Sequence, residues 1–146
     1  MTRMTKIAAA YLRQAESRLK DAEDALKEGN HPYCLRLSQE CVELSLKASL
    51  KLVGIEYPKI HDVSDILLKV KGRFPEWFKE NVEEMGEASK TLASKREIAF
   101  YGNEEEYLMP EELIGEKEAE DAVSKARKTY NLCRKLLSSY MEAYED

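Results

Sequence analysis

The sequence predicts an all-α protein, an up-and-down bundle of four to five helices. Three observations carry this. Apolar residues recur at threes and fours through most of the 146 residues. Charged residues make up 35% and hydrophobic residues 43%, with only six glycines and four prolines, which is a helical composition. The third is the stretch from Pro32 to Val53, PYCLRLSQECVELSLKASLKLV, which is apolar or small almost all the way round. Its charged and amide residues are Arg36, Gln39, Glu40, Glu43, Lys47 and Lys51. Apart from Gln39 they recur at spacings of four, three, four and four, one narrow polar stripe on a helix. Such a helix belongs at the centre of a bundle, packed on two or three sides. Its apolar circumference is more than a small bundle covers easily, so a two-fold contact with a second copy is expected. A ligand groove along the stripe is the sharper expectation.

The elements follow in order. A first helix is expected over residues 5–28, with Ala8, Tyr11, Leu12, Ala15, Leu19, Ala22 and Leu26 on its buried face. Gly29 and Asn30 stop it, and Pro32 suits the first turn of the next helix. So short a link makes the first two helices an antiparallel hairpin. The second helix ends at Gly54. Pro58 biases Tyr57 toward extended backbone in the loop that follows. Asp62 can cap a short third helix that buries Val63, Ile66, Leu67 and Val70 and ends at Gly72. Pro75 opens a fourth helix running to Phe100, with the stripe Phe78, Val82, Met85, Ser89, Leu92 and then Arg96. The last helix, over residues 116–144, carries Ala119, Ala122, Ala126, Tyr130, Cys133, Leu137, Tyr140 and Tyr144 on one face. The chain reads as a single domain with its core over residues 5–140 and an acidic loop over residues 102–115.

The net charge of −5 is unevenly spread. The stretch from Gly102 to Ala122 holds nine acids and one lysine, so it carries −8 and the rest of the chain +3. A mildly basic body neither demands nor excludes a nucleic-acid partner. The loop is suited to shielding a basic site or meeting a basic partner. No apolar run approaches the roughly 20 residues that span a bilayer, and the first residues are too polar for a secretory signal. A cytoplasmic protein without membrane attachment is expected. Cys34, Cys41 and Cys133 each fall on an apolar helical face and read as buried free thiols. With only His31 and His61 beside them, no metal-ligand pattern and no cofactor is implied.

Arg96 is the informative residue. An arginine in the apolar register of a helix is costly unless its guanidinium is paired or reaches a groove. Structurally it would snorkel, or pair with Glu40 or Glu43. Functionally its planar fork suits a phosphate. Tyr101 sits at the end of the same helix, its hydroxyl free to meet a base, a phosphate or a carbonyl, or to point outward from ordinary packing. Lys95 and Lys90 add positive charge nearby, or face solvent. His61, at the start of the third helix, and His31, beside Pro32, read as capping or packing residues.

The chain resembles the HEPN domain family, small all-helical proteins of prokaryotes and higher eukaryotes. The resemblance lies in the run YLRQAESRLKDAEDALKEGNHPYCLRLSQECVELSLKASLKLVGIEYPKIHDVSDIL, in SKREIAFYGNEEEYLMPEE, and in the final EKEAEDAVSKARKTYNLCRKLL, together covering about residues 5–140. It implies an up-and-down bundle, like that of nucleotidyltransferase substrate-binding subunits, and a homodimer. Many members are metal-independent ribonucleases whose signature is an arginine, four to six residues, then a histidine. Many others pair with a small nucleotidyltransferase as toxin and antitoxin, and the family name records nucleotide binding. By position the signature arginine falls on Arg96. The signature histidine would fall at Tyr101, Gly102 or Asn103, none of which is a histidine. An unperturbed phenol is a poor base near neutral pH.

The expected function is therefore a nucleotide- or RNA-binding module and partner of a small nucleotidyltransferase, not an enzyme. Its expected binding residues are Arg96, Lys95, Tyr101, Glu43 and Lys47. The alternatives are a ribonuclease toxin in which Arg96 and Tyr101 are catalytic, and a non-catalytic helical adaptor with Arg96 in a salt bridge.

Overall fold

The computed structural model describes residues 2–57 and 59–145. Pro58 and the side chain of Tyr144 lie outside the described residues. Four long helices dominate: α1 (Arg3–Lys27), α2 (His31–Leu52), α5 (Val82–Tyr101) and α7 (Glu116–Glu145). Shorter helices α3 (Ser64–Lys69) and α4 (Glu76–Lys79), with a 3-10 turn between them, link α2 to α5, and α6 (Pro110–Leu113) lies before α7. No strand occurs among the described residues, only a bridge between Asn103 and Leu108.

Local chemistry sets the helix ends. Thr2 accepts the Thr5 N–H at 3.1 Å to open α1. At Gly29 the backbone turns left-handed (φ 76°), the Asn30 N–H bonds the Ala25 carbonyl and the Gly29 N–H bonds that of Leu26. This is the six-to-one and five-to-two closure that a glycine just past the helix end makes possible. The expected hairpin follows, with Arg18 of α1 reaching Glu40 of α2 at 3.1 Å.

α2 lies at the centre and packs against α1, α5 and α7. Most of its apolar circumference is covered within one chain, with Tyr33 left 41% exposed. The reason is the small face of α2. Cys34, Ser38, Cys41, Ser45 and Ser49 are all buried, as are Ala119, Ala122, Ala126 and Cys133 of α7. The Cys34 thiol donates to the Ala119 carbonyl (3.7 Å) and the Cys41 thiol to that of Ala126 (3.8 Å). The partners advance together, so α2 and α7 run parallel. α1 runs antiparallel to α7 through Arg127–Glu23 and Arg134–Glu16, and α5 through Lys95–Glu118 and Lys128–Glu84. The order is up, down, up, down.

Two expectations need correction. The fourth helix is not continuous from Pro75. It breaks after Lys79, because the Asn81 side chain bonds the Trp77 carbonyl at 2.8 Å and its own N–H turns to Phe78. Asparagine offers the backbone this alternative to the helical ladder. The stripe survives the break: Phe78, Val82, Met85, Ser89 and Leu92 are all buried. In the third helix Val63 and Leu67 are buried, whereas Ile66 and Val70 are only partly so. That helix ends at Lys69, and Gly72 falls in the 3-10 turn.

Burial pushes the thiol pKa of Cys34 up to about 11 and that of Cys41 up to about 12. A thiol reagent at pH 8 is expected to label none of Cys34, Cys41 and Cys133 in the native protein and all three in denaturant. Rapid native labelling would contradict the buried seam. Ala126→Leu, which overfills it, is expected to lower the unfolding free energy by about 1–3 kcal/mol in urea titration.

Candidate phosphate-binding pocket

The pocket is built where the end of α5 crosses the polar stripe of α2. Arg96 extends from α5 and donates through Nη1 to Gln39 Oε1 at 2.6 Å, with Glu40 Oε2 at 3.6 Å. Of the two acids expected as its partner, it meets Glu40. Both contacts use Nη1, so the rest of the fork is not spent on them. The side chain keeps 22% of its surface exposed.

Gln39 makes this arrangement possible. It is fully buried, accepts from Arg96, and donates from Nε2 to Glu43 Oε1 at 2.9 Å. Both ends of the amide are satisfied, so it carries no unpaired burial cost. Its signal in the sequence is its position, the one charged or amide residue off the beat of the stripe. Glu43 in turn contacts Lys47 Nζ at 2.8 Å and His61 Nδ1 at 2.7 Å. Burial raises the pKa of the Glu43 carboxyl, but bonds from Lys47, Gln39 and His61, with the Lys47 charge, outweigh it and leave the group below its ordinary value. An ionised Glu43 accepts from Nδ1, which leaves Nε2 as the imidazole's free nitrogen.

His61 is the second candidate that the sequence offers beside Arg96, weighed there toward a structural role. Its place before a helix suggests a structural role, yet it lines the pocket with Arg96, Ala93, Glu97, Phe100 and Tyr101, a depression of about 450 Å³. Its loop is fastened to α5 by Ser89, whose hydroxyl donates to Asp62 Oδ1 (2.9 Å) and accepts the Val63 N–H (3.1 Å). Asp62 also accepts the Ser64 N–H at 2.9 Å, a turn contact two residues on, while the N-cap position of α3 falls on Val63 and not on Asp62 as expected. No spacing rule links residue 61 to residue 96; only folding brings them together.

The other expected residues fall around this centre. Tyr101 is 61% exposed, stacks on Phe100 with ring centroids 5.6 Å apart, and lines the pocket. Glu43 and Lys47 stand behind it as a pair. Lys47 also lies 5.3 Å from the Tyr57 ring, whose hydroxyl bonds that of Tyr11 at 2.8 Å. Lys95 is turned away to Glu118 of α7 at 3.2 Å. Lys90 is exposed. The acidic loop begins beside Tyr101 and is closed by reciprocal 2.9 Å bonds between Asn103 and Leu108. Gly102 is required there. Its φ is 66°, and a Cβ would stand 2.1 Å from the Leu108 carbonyl oxygen.

Among the described residues no group of three or more histidines, cysteines or acids is placed to hold a metal. No helix among them is long and apolar enough to cross a membrane.

A bundle of this order, with an arginine at the end of α5 over a buried amide, is the setting in which the family comparison falls. The family model described as HEPN domain matches residues 8–136, and the chain belongs to that family. A similar solved structure is the crystal structure of TT1696 from Thermus thermophilus, with a TM-score of 0.68 at 21% identity, covering 88% of this chain and 96% of that one. At that identity the likeness speaks for the fold alone. No curated protein matches the chain.

Two outcomes test the hydrogen-bond chain. Gln39→Leu is expected to cost about 1.5–3 kcal/mol in urea titration, since it strips a charged, part-buried donor of its acceptor. A carboxyl held below its ordinary pKa stabilises the fold above that value and loses the contribution as pH falls through the folded value. Wild type is therefore expected to lose more melting temperature than Glu43→Gln as pH falls below about 4.5, the unperturbed value. Parallel curves would contradict the assignment.

Proposed function

We propose that the chain is a HEPN binding module that takes a phosphate-bearing ligand, a nucleotide or an RNA, in the pocket of Arg96, His61 and Tyr101 and does not cut it. The observation that carries this is the guanidinium of Arg96, braced through Nη1 by a buried glutamine while facing an open pocket. A braced fork loses little freedom on meeting phosphate oxygens. Tyr101 offers a hydroxyl and an exposed ring face on which a base can stack. Lys95, Glu43 and Lys47 act from outside the pocket, Glu43 by orienting His61.

The same proposal includes a small nucleotidyltransferase as partner, in a toxin–antitoxin-like pair, and a homodimer. The dimer draws support from Ile98, Tyr107 and Met109, exposed large apolar side chains on α5 and the loop after it. Sedimentation showing only monomer at micromolar concentration would remove it.

Fluorescence anisotropy at fixed salt, with a short single-stranded RNA and with AMP, tests the ligand. Arg96→Ala is expected to weaken binding by about tenfold or more. Unchanged affinity would overturn the reading.

One observation favours a second reading, metal-independent cleavage of RNA. The imidazole missing at positions 101–103 is present in the pocket as His61, oriented by Glu43 at 2.7 Å. An imidazole moves protons near neutral pH, which Tyr101 in the histidine's place does poorly. Cleavage in EDTA that is lost in both Arg96→Ala and His61→Gln would establish it in place of the binding module.

A further inference from the structure

Among the described residues, the polar stripe of α2 holds one cation without an acidic partner, since Lys51 pairs with Glu56 at 3.4 Å. Glu40 is shared by Arg18 and Arg96, and Glu43 by Lys47 and His61, so both acids of the stripe are already matched by cations. Arg36, one turn nearer the start of α2, has no carboxylate in ion-pair range among the described residues. Its Nε is shut away from solvent with no hydrogen-bond partner among them. The side chain is held instead by rings. Its guanidinium carbon lies 3.3 Å from the centroid of Phe100 and 5.5 Å from that of Tyr33. Arginine stacks on aromatic faces in this way with its N–H edge left over.

Phe100 is also the ring approached by Arg96, at 5.1 Å, and it lines the pocket. Both guanidinium groups thus meet the same ring, which alone of the Arg36 contacts lines the pocket. One is braced by hydrogen bonds and the other by stacking, and the second carries uncompensated charge. Two forks engaged in bidentate fashion need four terminal oxygens, more than the three of a phosphate monoester or the two of a diester. A ligand that uses both carries two phosphates in succession.

Resting on the pocket reading above, we propose that Arg36 is the second arm of a two-phosphate clamp, with Phe100 as its floor. Its ligand bears successive phosphates, either the pyrophosphate of a nucleoside diphosphate or adjacent phosphates of a single RNA strand. Tyr33, 41% exposed and 5.5 Å from the Arg36 guanidinium, extends the aromatic surface on which a base can stack.

Calorimetric titration with AMP, ADP and a 5′-phosphorylated RNA dinucleotide tests this. Wild type is expected to bind ADP or the dinucleotide about tenfold more tightly than AMP. Whichever binds more tightly identifies the source of the two phosphates. Arg36→Gln is expected to bring that ligand down to the AMP level and leave AMP itself unchanged, which also shows that the variant's pocket is intact. Arg36→Lys, which keeps the charge but not the fork, is expected to recover only part of the difference. If Arg36→Gln weakens AMP by the same factor, or leaves the two-phosphate ligand unaffected, the clamp is overturned. If wild type binds AMP but gains nothing from a second phosphate, the clamp fails and the pocket stands. If none of the three binds, both fall.

Discussion

The close approach of α2 and α7 governs the rest of the molecule. Two helices come this near only where small side chains face each other, and here cysteines and serines face alanines. A larger residue at any of these positions would push the axes apart. Because the small face of α2 is spent on α7, the helix has one azimuth left for its polar residues, turned toward α1 and α5. The pocket is a consequence of that rotation. Arg96 sits in the apolar register of α5 and meets, across the interface, the stripe that can satisfy it.

The polar groups then form one chain: Arg18 to Glu40 to Arg96, Arg96 to Gln39, Gln39 to Glu43, and Glu43 to Lys47 and His61. Each buried member is matched at both ends, which makes such a network tolerable in a low-dielectric setting. A buried arginine alone would be expensive, and a buried glutamine alone would be costly too. Together they produce an oriented fork and an oriented imidazole at the edge of an open depression. Arg36 stands outside this accounting. Among the described residues its charge has no acid and its Nε no acceptor, so ring stacking is what holds it.

Much of this is legible in the residues. The helical hairpin at Gly29, the burial of the three thiols and the need of Arg96 for a polar partner all follow from local rules. Turn chemistry and the period of the apolar stripe act over a few residues and leave their mark there. The break at Asn81 is hidden because an asparagine beside a good apolar stripe reads equally well as surface. His61 is hidden for a different reason. Its meaning depends on residues 43, 89 and 96, which lie on other elements, and the Ser89 anchor that holds its loop looks in sequence like an ordinary small core residue.

The sequence by itself determined the class of fold, the turn between the first two helices and the central place of α2, since helix periodicity and turn chemistry are written in short windows. It also singled out Arg96, because a charge in an apolar register is conspicuous without any partner in view. The tertiary structure alone decided what Arg96 touches, that His61 lines the same pocket, and that Arg36 stacks on Phe100, a ring of that pocket. Those outcomes depend on the rotation of one helix against another. That rotation is settled by which small faces interlock across 85 residues of chain, from Cys34 to Ala119 and from Cys41 to Ala126.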